Sequence, residues 1–202
     1  MELKRKTLAL IFAALAWFAV TAQFVLMLGN RVVPLGEAVI RFFSFFTILT
    51  NMLVAMFFTW QAIGGRKFKA GTLTAIATYI TIVGLVYQVV LRQLWEPAGL
   101  QQLVDELLHS VIPLLTIGYW YRYEHRHDIS YKQLSNWLIF PFAYLVYILI
   151  RGYFTGFYPY PFMDVSELGF FNVMRNALGL LVLFVFVSVV LVSIGRRLKP
   201  IY

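Results

Sequence analysis

Residues 45–55 read FFTILTNMLVA, an apolar segment that carries three polar side chains, Thr47, Thr50 and Asn51. Ser44 precedes it, so on one helix Ser44, Thr47 and Asn51 recur at spacings of three and four residues and share a face. Polar groups within hydrocarbon need partners, and small hydroxyl and amide side chains commonly join neighbouring membrane helices. The stretch alone allows two interpretations: contacts that pack helices together, or part of a functional site.

The composition of the 202 residues is that of a membrane protein. Hydrophobic residues make up 61% of the chain and charged residues 13%, whereas about 25% of the residues in soluble domains are charged. The mean hydropathy is +0.77. A membrane-spanning helix takes about 20 apolar residues, so the chain has room for several spans but not for a separate soluble domain.

The net charge of +8 has its ordinary cause in basic loops that face the cytoplasm. The sequence contains no stripe of alternating basic and aromatic residues and no glycine-rich phosphate-binding loop, so no nucleic-acid partner is expected. Cys is absent, which excludes disulfides, thiolate catalysis and Cys-ligated metals.

Apolar runs predict an all-α polytopic protein with one six-helix transmembrane domain over residues 1–202. The predicted spans are 7–28, 42–63, 71–91, 103–121, 137–150 and 173–194. The first run is too long for the core of a signal peptide, and no small-residue cleavage site follows it. We therefore expect it to be retained as a helix.

The basic residues predict the orientation of these spans. With the N-terminus inside, twelve of the 17 Lys and Arg residues fall on the inner side and five on the outer side. This bias predicts cytoplasmic termini in a multi-pass integral membrane protein. If the protein is bacterial, the expected location is the plasma (inner) membrane. The outer five are Arg31, Arg41, Arg92, Arg151 and Arg175. Most lie at span ends near acidic residues, which indicates either side chains that reach the interface or a polar pocket in the outer half.

His109 lies within the fourth predicted span, and Asp105 precedes it by one helical turn. The Asp105 carboxylate can therefore reach an imidazole nitrogen. A histidine that is oriented by an acid and adjoins a hydroxyl is the minimum for activating a Ser or Thr nucleophile. Thr47 lies at a similar depth, roughly 8–10 Å below the outer span ends, with Thr50 and Ser44 as alternatives. The other interpretation is a structural hydrogen bond from His109 to a neighbouring helix.

The remaining histidines, His125 and His127, stand two residues apart in an inner loop. On a helix their side chains would point in different directions, and no Cys or carboxylate pattern accompanies them. No metal site and no organic cofactor is therefore expected.

The outer loop between the last two spans reads RGYFTGFYPYPFMD over residues 151–164. Two prolines and two glycines predict a stiff, turning path. Its aromatic side chains suit the surface of a bilayer. The loop is either part of an aromatic belt or a lid over a pocket that contains Thr47 and His109.

Three motifs resemble, in their order, the androgen-induced membrane-protein family. They are FTILTN at 46–51, His109 followed closely by Pro113, and TGFYPYPF at 155–162. Animal members of that family are known as threonine hydrolases of fatty acid esters of hydroxy fatty acids, and they have multiple spans. The chain departs from the family pattern at Thr50, where the family has an acid, and its histidine is one residue closer to the following proline.

The resemblance implies that Thr47 is the nucleophile and His109 the general base of a hydrolase that acts on a lipid or fatty-acyl ester. Thr50 and Asn51 are expected to support Thr47, with Asn51 or a backbone N–H binding the oxyanion, and Asp105 to orient His109. Substrate contacts are expected from Arg151, Arg175, Tyr158 and Tyr160. The alternative is a non-enzymatic lipid or small-molecule binding protein, or a transporter, that uses the same outer pocket.

Overall fold

The structure is a computed structural model that describes residues 2–65, 68–94, 96–124 and 129–197. Over these ranges the regular structure is helical throughout, which confirms the predicted all-α class. The chain forms two compact units, one from the described residues of Met1–His125 and the other from those of Arg126–Pro200.

The described α-helices of the first unit are α1 (Glu2–Gly29), α2 (Leu35–Phe42), α3 (Phe46–Ala62), α4 (Thr72–Val86), α5 (Leu100–Glu106) and α6 (Ile112–Tyr123). A π-helical turn, Tyr87–Leu91, and a 3₁₀ turn, Arg92–Leu94, extend α4. A second π turn, Leu107–Val111, joins α5 to α6, so the helical path is continuous over residues 100–123.

The described α-helices of the second unit are α7 (Leu134–Trp137), α8 (Ile139–Thr155), α9 (Val165–Leu168) and α10 (Phe170–Arg197). Helix α8 ends where Gly156 adopts a left-handed φ of +67°, a conformation that glycine adopts without steric cost. The segment then turns through a short 3₁₀ helix, Pro161–Met163, to Asp164, whose carboxylate caps α9. This path has the turning character predicted for the aromatic loop.

Four described helices are long and apolar enough to cross a membrane: Glu2–Gly29, Thr72–Leu94, Tyr131–Thr155 and Phe170–Arg197. Helices α2 and α3 pass the same test as a pair that is bent by 68°, either as a broken span or as a re-entrant loop. The fourth predicted span lies within the continuous helix 100–123, which carries Asp105, Glu106 and His109 and is not among the four.

The predicted span 42–63 is wrong as one uninterrupted helix. Helix α2 ends at Phe42, and Phe45 has an extended backbone (φ −83°, ψ 124°) from which α3 starts at Phe46. Ser44 lies in this break, where its hydroxyl donates to the carbonyl oxygen of Ile40 at 2.7 Å. Ser44 therefore does not share a helical face with Thr47, because Ser44 lies in the break and Thr47 lies in α3.

Small side chains allow close packing in the first unit. Ala9, Ala13, Ala16 and Ala19 are buried along α1, and this helix packs extensively against α3. Small residues let helix backbones approach closely, as is typical of membrane helices. Helix α4 packs on both α3 and α6. These contacts bring the start of α3, the end of α4 and the π turn before α6 to one place.

Candidate active site

Thr47 and His109 meet where α3 begins. The Thr47 hydroxyl oxygen lies 3.3 Å from Nε2 of His109, slightly beyond the range of about 2.6–3.2 Å in which a general base takes a proton. Catalytic hydrogen bonds are often this long before substrate binds. Both side chains are largely buried, with 7% of Thr47 and 12% of the His109 side chain exposed.

Asp105 determines which nitrogen of His109 can act as a base. Nδ1 lies 3.0 Å from the backbone oxygen of Asp105 and 3.2 Å from its carboxylate Oδ1. Both oxygens only accept hydrogen bonds, so in a neutral imidazole Nδ1 carries the proton and donates it to them. Nε2 is then left with its lone pair toward the Thr47 hydroxyl. This is the arrangement in which a histidine activates a hydroxyl nucleophile.

Tyr87 is a member of this cluster that the sequence interpretation missed. Its ring stacks on the His109 imidazole, with centroids 4.1 Å apart and planes 13° from parallel. Its hydroxyl donates a hydrogen bond to Oδ2 of Asp105. Tyr87 stands 22 residues before His109, in another predicted span, where a tyrosine has no feature that separates it from ordinary packing residues.

Asn51 braces the site through its side-chain amide. Nδ2 donates to the carbonyl oxygen of Thr47 at 2.9 Å and to that of Leu108 at 3.2 Å. Since an amide nitrogen has only two hydrogens, Asn51 has none left to offer an oxyanion. Its Oδ1 is buried without a hydrogen-bond partner, as is the hydroxyl of Thr50. We therefore interpret the predicted support by Asn51 as positioning of the backbone at Thr47 and Leu108.

Four polar side chains near Tyr87 or His109 in the chain form a closed ring of hydrogen bonds. Arg92 pairs with Glu106 and donates to Gln88 at 2.7 Å. Ser110 donates to Glu106 at 2.6 Å and accepts from Gln88 at 2.8 Å. These bonds join the two π turns. Arg41 likewise pairs with Glu37, at 2.8 Å, so both of these predicted outer arginines have carboxylate partners.

The four predicted substrate-binding residues lie in the second unit. The Arg151 guanidinium lies over the Phe157 ring at 5.2 Å, and Tyr160 stacks on Phe162 with ring centroids 5.2 Å apart. Arg175 is exposed on α10. Their role toward a substrate stays a prediction.

Tyr158 packs against the backbone of α8. An alanine Cβ built on Gly152 would come within 2.0 Å of the Tyr158 ring, so this contact requires glycine. Burial, and the nearby Asp164 carboxylate, raise the pKa of the Tyr158 phenol above its usual value. Tyr158 therefore remains a neutral hydrogen-bond donor at physiological pH.

Within the described ranges no group of three or more side chains is arranged to hold a metal ion. The predicted loop histidines, His125 and His127, lie outside the described residues. Comparison with protein-family models, with curated proteins and with solved structures gives no significant match. The chemistry of the side chains around Thr47 therefore carries the functional argument.

Proposed function

We propose that this protein hydrolyses fatty-acyl esters within the membrane and is a distant relative of the androgen-induced membrane-protein family. The observation that carries the proposal is the hydrogen-bonded order of Thr47, His109 and Asp105. A buried hydroxyl, an imidazole with its basic nitrogen toward that hydroxyl, and a carboxylate on the other nitrogen are the parts that acyl transfer requires.

In the proposed reaction the Thr47 oxygen attacks the ester carbonyl while Nε2 of His109 takes the hydroxyl proton. The tetrahedral intermediate expels the alcohol, which receives that proton from Nε2, and the acyl group remains on Thr47 as an ester. A water molecule then gives a proton to Nε2 and attacks the acyl carbonyl. The fatty acid leaves, and the proton returns to the Thr47 oxygen. No metal or organic cofactor takes part in these steps.

The bend before α3 supports this role for Thr47. Thr47 is the second residue of α3, and the first turn of a helix carries a partial positive charge from its backbone N–H groups. Negative charge that develops on an ester oxygen is stabilised by such groups. The amide hydrogens of Asn51 are engaged, and the N–H groups of Ile48 and Leu49 already donate to the Phe45 carbonyl oxygen. We therefore expect this turn to act on the oxyanion through its partial positive charge.

The π turn Leu107–Val111 supports the resemblance to the family. The family histidine stands one residue further from its proline, and one residue rotates a side chain by about 100° on an α-helix. A π turn changes the helical register by about one residue. His109 lies within this turn, so the turn offers a place where the difference is absorbed.

The proposed membrane topology has six spans. Helices α2 and α3 together form one broken span, residues 100–123 form another, and both termini lie in the cytoplasm. In this topology the polar groups of helix 100–123 face protein partners instead of lipid, as the contacts of Asp105, Glu106 and His109 allow.

Purified protein in detergent or nanodiscs, incubated with fatty acid esters of several chain lengths, tests the hydrolase. We expect turnover in the wild type and a loss of about a hundredfold or more in Thr47→Val and His109→Gln. Thr78→Val is the matched control, because that buried hydroxyl bonds only the Thr74 carbonyl oxygen of its own helix among the described contacts. A fluorophosphonate probe should label wild type and Thr78→Val alone.

Folded wild-type protein that neither turns over any ester nor reacts with the probe would refute the hydrolase. Labelling that survives in Thr47→Val but disappears in Thr50→Val would instead identify Thr50 as the nucleophile.

The bend between α2 and α3 also favours a second candidate function. Discontinuous helices often form the substrate sites of transporters, and the 68° bend lies beside the buried polar cluster. A non-enzymatic lipid-binding protein or a transporter would use the same groups to hold a ligand. This alternative predicts a lipid that co-purifies with the protein and is released unhydrolysed, equally from wild type and from Thr47→Val.

A further inference from the structure

Neither packing nor the proposed pair of Thr47 and His109 requires a tyrosine at position 87. Tyr87 is the first residue of the π turn that extends α4, and only 4% of it is exposed. Any large apolar side chain would fill this space. The tyrosine supplies two further contacts, a ring that stacks on the imidazole of His109 and a hydroxyl that donates to Asp105.

The hydroxyl of Tyr87 gives the second oxygen of the Asp105 carboxylate a hydrogen-bond partner. Oδ2 accepts from Tyr87, while Oδ1 lies 3.2 Å from Nδ1 of His109. The carboxylate cannot rotate about its terminal torsion without breaking both contacts. Its orientation toward the imidazole is therefore determined by a residue on a different helix.

The ring of Tyr87 has a second neighbour, the side chain of Arg92. The guanidinium of Arg92 lies 5.9 Å from the ring centroid. Arg92 is fixed in turn by Glu106 and Gln88. The ring that stacks on the imidazole therefore contacts a guanidinium that has partners on both helical segments.

We propose that Tyr87 is a positioning residue that fixes the ring plane of His109 through the stack and the orientation of the Asp105 carboxylate through its hydroxyl. The catalytic part of this inference rests on the proposed hydrolase. The structural part does not, because the orientation of the imidazole and of the carboxylate is a property of the protein without substrate. Two kinds of measurement can therefore separate a failure of one proposal from a failure of the other.

The first measurement compares turnover in Tyr87→Phe, which keeps the ring and removes the hydroxyl, with turnover in Tyr87→Leu, which removes both. We expect kcat to fall about 10- to 100-fold in Tyr87→Phe and further in Tyr87→Leu, with KM nearly unchanged. Tyr79→Phe removes another buried phenol from the same helix and should leave kcat unchanged. A residue that only packs would give equal kcat in wild type and Tyr87→Phe.

The second measurement observes the imidazole nitrogens of His109 directly. The chain has three histidines, so a His125→Gln, His127→Gln background leaves His109 alone for nitrogen NMR of the imidazole. In this background we expect protonated Nδ1 and a free lone pair on Nε2. After Tyr87→Phe we expect the same tautomer, because the Asp105 carbonyl oxygen stays in place, but a shifted Nδ1 resonance, because the carboxylate next to Nδ1 has lost one of its two contacts. Tyr79→Phe should leave the spectrum unchanged.

An Nδ1 resonance that stays unchanged in Tyr87→Phe would overturn the assignment of Tyr87, whatever the turnover. If wild type hydrolyses no ester while the Nδ1 resonance responds to Tyr87→Phe, the hydrolase fails and the positioning role is supported.

Discussion

Asn51 shows how a single amide can hold a site together. Its two hydrogen bonds connect the backbone of Thr47 on α3 with that of Leu108 in the π turn. In Asn51→Ala the buried carbonyl oxygen of Leu108 loses the hydrogen bond that the Asn51 amide donates to it. We expect the free energy of unfolding to fall by about 1–3 kcal/mol, measured by denaturant titration in micelles with circular dichroism.

Asn172→Ala is the matched control for Asn51→Ala. Asn172 also donates to a backbone carbonyl, that of Leu168 at 2.8 Å, but its bond is solvent-accessible and stays within one segment of chain. Its loss should change the free energy of unfolding by less than about 0.5 kcal/mol. Equal effects of the two substitutions would contradict the bracing role of Asn51.

Replacing Thr50 should not lower the free energy of unfolding as replacing Asn51 does. Its hydroxyl is fully buried without a hydrogen-bond partner, and a buried polar group without a partner is destabilising. Valine has nearly the same shape, so Thr50→Val should leave the free energy of unfolding unchanged or raise it by about 1 kcal/mol. A decrease measured by the same titration would mean that the Thr50 hydroxyl has a stabilising partner.

Sequence alone indicated part of this cluster. Thr47 and His109 are conspicuous because polar side chains are rare in apolar runs, and Asp105 stands one helical turn from His109. The contact of Tyr87 could not be predicted in this way, because the stack depends on the rotation of α4 against the π turn. Amphipathic aromatic residues are common in membrane helices, so their sequence positions do not distinguish a site from packing.

At the scale of elements, apolar runs in the sequence predict where the helices lie, but they do not predict the break before α3 or the two π turns. The break at Phe43–Phe45 contains neither Pro nor Gly, the usual signals for a bend. The first π turn carries no composition signal either, whereas the second is followed by Pro113, which has no N–H to bond the carbonyl oxygen four residues earlier. A hydrogen bond between Gln88 and Ser110 joins the two turns. These irregularities place Thr47, Tyr87 and His109 together, so hydrophobic periodicity alone does not predict the geometry of the site.

Gly84 permits the close approach of α4 to the second π turn. An alanine Cβ there would lie 3.2 Å from the His109 carbonyl oxygen and 3.4 Å from Cβ of Pro113. Both neighbours belong to helical backbone or to a rigid ring, so they yield little. We expect Gly84→Ala to lower the free energy of unfolding by about 1–3 kcal/mol and to reduce ester turnover, because the turn that carries His109 must move.

Gly118→Ala separates this steric effect from helix propensity. Gly118 lies in α6, is exposed, and has no atom within 4 Å of an added Cβ. Alanine in a helix interior is favoured over glycine by about 0.5–1 kcal/mol, so Gly118→Ala should stabilise the protein in the same thermal or denaturant assay. Stabilisation of similar size in Gly84→Ala would show that α4 and the π turn are not in close contact.

At the scale of the whole molecule, the path of α2 and α3 decides the topology. If the bent pair crosses the membrane, the loop after α3 lies on the side opposite the loop after α1. If the pair re-enters, both loops lie on the same side. The basic residues favour a crossing, since Arg66, Lys67 and Lys69 follow α3 and positive loops prefer the cytoplasm. A crossing pair also places Thr47 within a span instead of at the tip of a loop.

The absence of cysteine makes this choice measurable with single substitutions. Val32, which is 95% exposed between α1 and α2, and Lys69, which is exposed before α4, are suitable positions. We expect a membrane-impermeant maleimide to label Val32→Cys in intact cells and Lys69→Cys only after permeabilisation, because the bent pair separates the two loops. Labelling of both variants in intact cells would establish a re-entrant pair. The Thr47 site would then be reached through a loop from the outer solution, and the six-span proposal would fail.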